Sequence, residues 1–80
     1  MDTIAVVTGY NPGPSVKKVL EKIRYYVPAV IYIDDGSSDR SLTFAKQVRD
    51  VKIFSHSKNR GKGWALATGV DYILKNIRAN

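Results

Sequence analysis

The sequence predicts an α/β fold of order βαβαβα, half of a doubly wound sheet with three parallel strands. Three observations predict it. Residues 3–8 ("TIAVVT") and 29–33 ("AVIYI") are apolar and β-branched without alternation, the pattern of strands covered on both faces. The stretches between and after the strands carry apolar residues at helical spacing, and each strand ends in a turn-forming segment. Strands alternating with helices pair in parallel through right-handed crossovers, which brings every strand-to-helix loop to one edge of the sheet.

Each element follows from local signals. After the first strand, expected to be central or covered, "GYNPGPS" brings two Gly and two Pro. Ser15 is a natural N-cap there, for a helix with Val16, Val19, Leu20 and Ile23 on one face. Pro28 closes that region, and "AVIYI" runs into "DDGSSDR", so the second strand stops at Asp34. Ser38 or Asp39 can cap a second helix whose buried face is Ser41, Phe44, Ala45 and Val48. "VKIFS" (51–55) reads as the third strand. "HSKNRG" then leads into a long third helix with Leu66, Val70, Ile73, Leu74 and Ile77 along one side.

Size and composition bound what this fold can do. Eighty residues make one domain, and a chain this short buries only about 60% of its unfolded surface. Cysteine is absent, which removes disulfides, thiolate metal sites and a cysteine nucleophile, and makes the cytoplasm the default compartment. The longest apolar run, residues 25–33, is far short of the roughly 20 residues of a membrane helix and contains Pro28, and Met1-Asp2 opens no signal peptide. Thirteen Lys or Arg against seven Asp or Glu give a net charge of +6, which favours anionic partners. Lys17, Lys18, Lys22 and Arg24 read instead as the solvated side of the first helix.

The three loops, 8–15, 34–40 and 56–62, lie at the carboxyl ends of the strands, where α/β sheets bind ligands. Neither standard phosphate motif is present: Gly9 and Gly13 do not spell G-x-G-x-x-G, and "NRGKGW" lacks the residues of a P-loop. A carboxylate about 25 residues after the first glycine is nevertheless placed to accept hydrogen bonds from a ribose or a base. Asp34 and Asp35 form an adjacent pair whose repulsion a ligand or metal would offset, whereas Asp39 reads as a turn or cap. Lys58, Arg60 and Lys62, with Gly61 and Gly63, open the third helix and read either as an anion site or as a solvated basic loop. His56 reads as an exposed loop residue, and Trp64 as a core or interface anchor.

Three stretches in order, "AVVTGYNPG", "VIYIDDGSSD" and "NRGKGWALATGV", resemble the N-terminal nucleotide-binding half of family 2 glycosyltransferases of the Rossmann-like GT-A fold. That group includes dolichyl-phosphate mannose synthase and rhamnosyltransferase-like enzymes. Val7, Thr8, Tyr10 and Asn11 match the first motif with Gly9 as a departure. Ile33, Asp34, Asp35, Gly36, Ser37 and Asp39 match the second, and Asn59, Gly61, Gly63, Ala65 and Gly69 the third. The resemblance implies a strand order of 3-2-1 and a UDP- or GDP-linked sugar as ligand. It implies nucleotide contacts from Thr8, Tyr10, Asn11, Asp34 or Asp35, Gly61 and Lys62.

The family's D-x-D motif, whose carboxylates hold Mg2+ or Mn2+ on the donor diphosphate, follows a fourth strand and does not occur in these 80 residues. The expectation is therefore a nucleotide-binding domain over residues 1–80, a fragment or shortened form, that binds without catalysing and has no catalytic or metal-binding residues of its own. Its first strand would leave an apolar edge at Thr3–Thr8, so a homo-oligomer is expected. The rival readings are a small basic nucleic-acid-binding module, disfavoured by acidic residues at the binding edge, and a non-catalytic interaction protein. A phosphoacceptor domain ranks last, because the third strand ends in Ser55-His56 without a carboxylate.

Overall fold

The computed structural model of the chain describes residues 3–78. Its elements are β1 (Ile4–Gly9), α1 (Ser15–Tyr26), β2 (Ala29–Asp34), α2 (Ser41–Lys46), β3 (Val51–Ser55) and α3 (Lys62–Arg78). All three strands run parallel in one sheet of order β1-β2-β3. Gly9 lies opposite Asp34, and Asp34 opposite Ser55, so the strands end level with one another. β2 is paired on both sides and buried from Val30 to Asp34. β1 is an edge strand among the described residues and is half-buried along Ala5–Gly9. Its unbroken apolar run reflects helices above and below it and not a strand on either side.

Successive β2 side chains point to opposite faces, which is why four apolar residues in a row were needed. Val30 and Tyr32 join Val16 and Leu20 of α1 and Ala45 and Val48 around α2 on one face. Ile31 and Ile33 meet Ala65 of α3 on the other. The molecule is thus three layers, with α1 and α2 on one side and α3 on the opposite side.

α3 seats on the sheet through its small residues. A Cβ on Gly69 would lie 2.7 Å from Val6 Cγ1 and 3.0 Å from Ile33 Cδ1, so the helix approaches as closely as a bare Cα permits. Ala65, Gly69 and Ile73 therefore face inward, while Leu66, Val70 and Leu74 remain exposed. The predicted stripe was rotated by one residue, about 100°, because ranking positions by side-chain size passes over the small residues that close packing selects. Ile77 belongs to the predicted stripe, but its side chain lies outside the described ones. Tyr72, on the opposite flank, packs edge-to-face on Phe54 of β3 at 5.0 Å, so the exposed Leu66, Val70 and Leu74 flank is the one nearer the outer edge of β1.

Two caps also differ from expectation. Ser15 is the first helical residue and not the N-cap; its hydroxyl donates to the Pro12 carbonyl, and α1 begins without a side-chain cap. Before α2, Asp39 accepts from the amide of Ser41 at 2.9 Å and from its hydroxyl, a turn one residue ahead of the helix. Among the described residues, no helix is long and apolar enough to cross a membrane.

Candidate functional site

The three loops meet at the carboxyl edge, and the second loop holds the other two. Both ladders extend one step beyond the strands: Asp35 N–H donates to the Gly9 carbonyl at 2.8 Å, and His56 N–H to the Asp34 carbonyl at 2.9 Å. The first loop is tied to the second through Asn11, whose left-handed backbone (φ 53°) turns its side chain toward residues 37–39. Its Oδ1 accepts from the Ser38 amide at 2.8 Å and the Asp39 amide at 3.2 Å, and its own amide donates to Ser37 Oγ at 2.8 Å. The Gly13 N–H adds a hydrogen bond to Ser41 Oγ at 2.8 Å.

The adjacent carboxylates diverge. Asp34 turns back into its own loop, accepting from the Ser37 hydroxyl at 2.7 Å, the Ser37 amide at 2.9 Å and the Tyr32 phenol at 3.1 Å. Burial, and then the negative charge of Asp34, push the Tyr32 phenol well above its ordinary pKa. Asp35 reaches across to the third loop instead. It accepts from Gly61 N–H at 2.7 Å, Arg60 N–H at 3.1 Å and His56 Nδ1 at 2.9 Å. The His56 hydrogen bond, working against the cost of burial and helped by the two amides, holds the Asp35 carboxyl below the usual carboxylate range. Asp39 is lowered too, by the Ser41 hydroxyl and then its amide. The repulsion expected between neighbouring carboxylates is thus offset by donors from within the chain, with both residues at most 3% exposed.

Gly36 brings the second and third loops into backbone contact. Its φ is +75°, and a Cβ there would run into the Lys58 carbonyl carbon and the Asn59 nitrogen. At the other side of the edge, Gly9 leaves room for the phenol of Tyr32, whose oxygen lies 2.5 Å from where a Cβ would stand.

Between the first and third loops opens a cavity of about 320 Å³, lined by Thr8, Gly9, Tyr10, Asp35, Asn59 and Lys62. Tyr10 is exposed at its mouth, and Lys62 enters from the first turn of α3. Four of the predicted residues, Thr8, Tyr10, Asp35 and Lys62, therefore come together there. Gly61 stands behind the lining, its amide committed to Asp35. Asn11 and Asp34 are engaged in knitting the loops and are not among the lining residues. A cavity of similar size, about 330 Å³, lies at the amino ends of the strands near Pro28, Lys52 and Tyr72, away from the three loops. Ligands of parallel α/β sheets bind at the carboxyl ends, so the first cavity is the candidate site.

Gly9 and Asn59, which the sequence places in the same loops without naming them as contacts, also line the cavity, and two side chains lie elsewhere than in the expected loop or core position. His56 is not an exposed loop residue: its ring bridges Asp35 and Thr68 Oγ1, 2.9 Å from each. The strand register held the signal, since Asp34 pairs with Ser55 and the next residues along, Asp35 and His56, must then adjoin. Trp64 is exposed and not a core anchor, with the Arg60 guanidinium 4.5 Å above its ring. Among the described residues, no three His, Asp or Glu side chains gather around a point where a metal ion could sit. Asp34 and Asp35 turn to different loops and each accepts three hydrogen bonds from within the chain, so the two do not form a joint metal site, although each carboxylate keeps one lone pair open.

The fold and site define a parallel α/β domain with a small polar cavity of mixed charge at the carboxyl edge of its sheet. The chain belongs to glycosyl transferase family 2, whose sequence profile matches residues 4–77. It is 32% identical, over 74 residues, to the uncharacterised glycosyltransferase YaiP of Escherichia coli, covering 85% of this chain and 19% of that protein. It is 29% identical, over 76 residues, to an uncharacterised protein of Methanocaldococcus jannaschii, covering 89% of this chain and 33% of the other. The chain thus spans a fifth to a third of the length of these relatives. No solved structure matches it at a comparable level of significance.

Proposed function

We propose that residues 1–80 form the nucleotide-sugar-binding portion of a glycosyltransferase, which takes a UDP- or GDP-linked donor and does not by itself transfer the sugar. The observation that carries this reading is the cavity, where Tyr10, Thr8, Asp35, Asn59 and Lys62 converge within the stretch that matches the family profile. Tyr10 offers a flat face for a base, and Asp35 a carboxylate at the cavity wall. Lys62, with the first turn of α3, supplies positive charge for a diphosphate. Asn11, Asp34 and Gly61 support these residues by holding the three loops together. The Mg2+ or Mn2+ expected with such donors in a full-length relative would be held by carboxylates outside this pair.

Two further points belong to the same reading. The outer edge of β1, flanked by exposed Leu66, Val70 and Leu74, suits pairing with a second copy through Thr3–Thr8. The lack of cysteine suits a cytoplasmic setting.

The test is titration of UDP, GDP and their sugars into isotopically labelled protein, with and without Mn2+. Shifts clustered at Thr8–Asn11, Asp35 and Asn59–Lys62 are expected. Silence at millimolar nucleotide would remove the reading, and steep salt-dependent binding of DNA or RNA instead would favour a nucleic-acid module.

A further inference from the structure

Among the described residues, the carboxylate of Asp35 has a single side-chain donor, His56, and that histidine has a second partner on α3. Asp35 lies just after β2, His56 just after β3, and Thr68 in the second turn of α3. One imidazole therefore joins three elements beneath the third loop.

We propose that His56 is the positioning residue of this site. It holds Asp35 in the orientation that receives the Arg60 and Gly61 amides, so the Asn59–Lys62 lip of the cavity is set before a nucleotide arrives. The inference rests on the nucleotide-binding reading above for its function, and on hydrogen-bond geometry for its mechanism.

An ionised carboxylate only accepts, so His56 Nδ1 must carry a proton toward Asp35. On the other side of the ring, the Thr68 hydroxyl lies 2.9 Å from Nε2 and 3.1 Å from the Trp64 carbonyl. A hydroxyl both donates and accepts. When Nε2 carries a proton, Thr68 accepts it and donates to Trp64; when Nε2 is bare, the hydroxyl turns and donates to the ring. The contact with Asp35 is kept in either arrangement of the Thr68 hydroxyl, so the lip is held in both. The charged residues on the elements around the ring are Asp34 at the end of β2 and Asp35 just after it, Lys52 on β3, Asp71 and Lys75 further along α3, and, in its own loop and at the start of α3, Lys58, Arg60 and Lys62. Both amides that the clamp serves lie between the last three.

The experiment compares wild type, His56→Ala and His56→Asn by NMR. Asn is chosen because its Nδ2 stands near the position of the imidazole Nδ1 and can donate to Asp35, although it cannot reach Thr68. Three readings are taken: ring nitrogen shifts, exchange protection of the Arg60 and Gly61 amides, and UDP and GDP titrations. In wild type, Nδ1 is expected to carry the proton that faces Asp35, and Gly61 is expected to be protected. His56→Ala is expected to release the Gly61 amide and weaken nucleotide binding roughly tenfold, the order expected for one lost hydrogen bond to a charged group. His56→Asn is expected to recover most of both.

A bare Nδ1 at neutral pH, or Gly61 protection unchanged in His56→Ala, overturns the proposal. So does a failure of His56→Asn to restore protection that the alanine variant has lost. If His56→Ala does not fold, the ring shifts of wild type and the protection seen in His56→Asn decide. Should wild type ignore both nucleotides while His56→Ala still frees Gly61, the clamp stands and the nucleotide reading fails.

Discussion

Replacing Gly36 with alanine should cost more stability than the same change at Gly61, and the structure says by how much. Two separate penalties act at Gly36. Its φ of +75° is a left-handed conformation, which costs an L-residue roughly 1–2 kcal/mol. In addition, the new Cβ would lie 2.6 Å from Lys58 Cα and closer still to two other backbone atoms. Carbon atoms rest at about 3.5–4.0 Å, so the third loop would have to retreat by about 1 Å. Overpacking of this kind typically costs about 1–3 kcal/mol. The sum is about 3 kcal/mol, a large share of the stability of a small domain.

Gly61, with φ +96° and nothing within 4 Å of its virtual Cβ, carries only the first penalty, about 1 kcal/mol. Gly63 carries neither and lies inside α3, so alanine there should stabilise by up to about 1 kcal/mol. Thermal unfolding followed by circular dichroism reads the series. At roughly 5 °C per kcal/mol, Gly36→Ala should melt about 15 °C below wild type, Gly61→Ala about 5 °C below, and Gly63→Ala slightly above. Equal losses at Gly36 and Gly61 would show that the second and third loops do not touch, and the account of the site would fall with that contact.

Other perturbations test the remaining links. Asp35 titrates below the usual range when folded, so it adds stability above the unfolded carboxylate pKa of about 4 that is lost as pH falls from there through the folded value. Asp35→Asn should therefore be less stable at neutral pH and show a shallower acid limb in urea unfolding; an unchanged limb would argue that the carboxylate is not held by His56 and the amides. Tyr32 is raised, so its contribution is complete below about pH 10 and fades above it as the unfolded chain ionises first. Tyr32→Phe should flatten the alkaline limb, measured the same way, and a limb as steep as wild type would count against the phenol's link to Asp34. At the β1 edge, sedimentation velocity should show concentration-dependent dimers that Val70→Lys with Leu74→Lys suppresses, whereas a wild-type monomer at high micromolar concentration would sink the pairing.

What the sequence made legible, and what it hid, divides along a physical line. The parallel sheet and its two helical layers could be read because burial on both faces forces unbroken apolar runs, and residues 29–33 obey that rule without exception. The gathering of Thr8, Tyr10, Asp35 and Lys62 at one edge followed from topology, which carries loops to the same place whatever their side chains do. The roles of individual polar groups were not legible, because they depend on distances between residues far apart in the chain. Asp34 and Asp35 look alike as neighbours, yet one satisfies its own turn and the other a loop some 25 residues on. His56 looked solvent-bound because its partners, Asp35 and Thr68, are 21 and 12 residues away.

The apolar face of α3 was misjudged for the converse reason. Gly69 and Ala65 are weak signals by hydrophobicity, but close approach of helix to sheet needs small residues, so these two small positions mark the contact. The same logic explains the acidic cluster that a basic chain gathers at the end of β2. Loop amides and hydroxyls at the carboxyl edge need acceptors once they leave water, and carboxylates supply two oxygens each where a carbonyl supplies one. Asp34, Asp35 and Asp39 together take up the amides of Ser37, Arg60, Gly61 and Ser41. The cluster is thus first the frame of the cavity, and only Asp35 also presents itself to whatever the cavity holds.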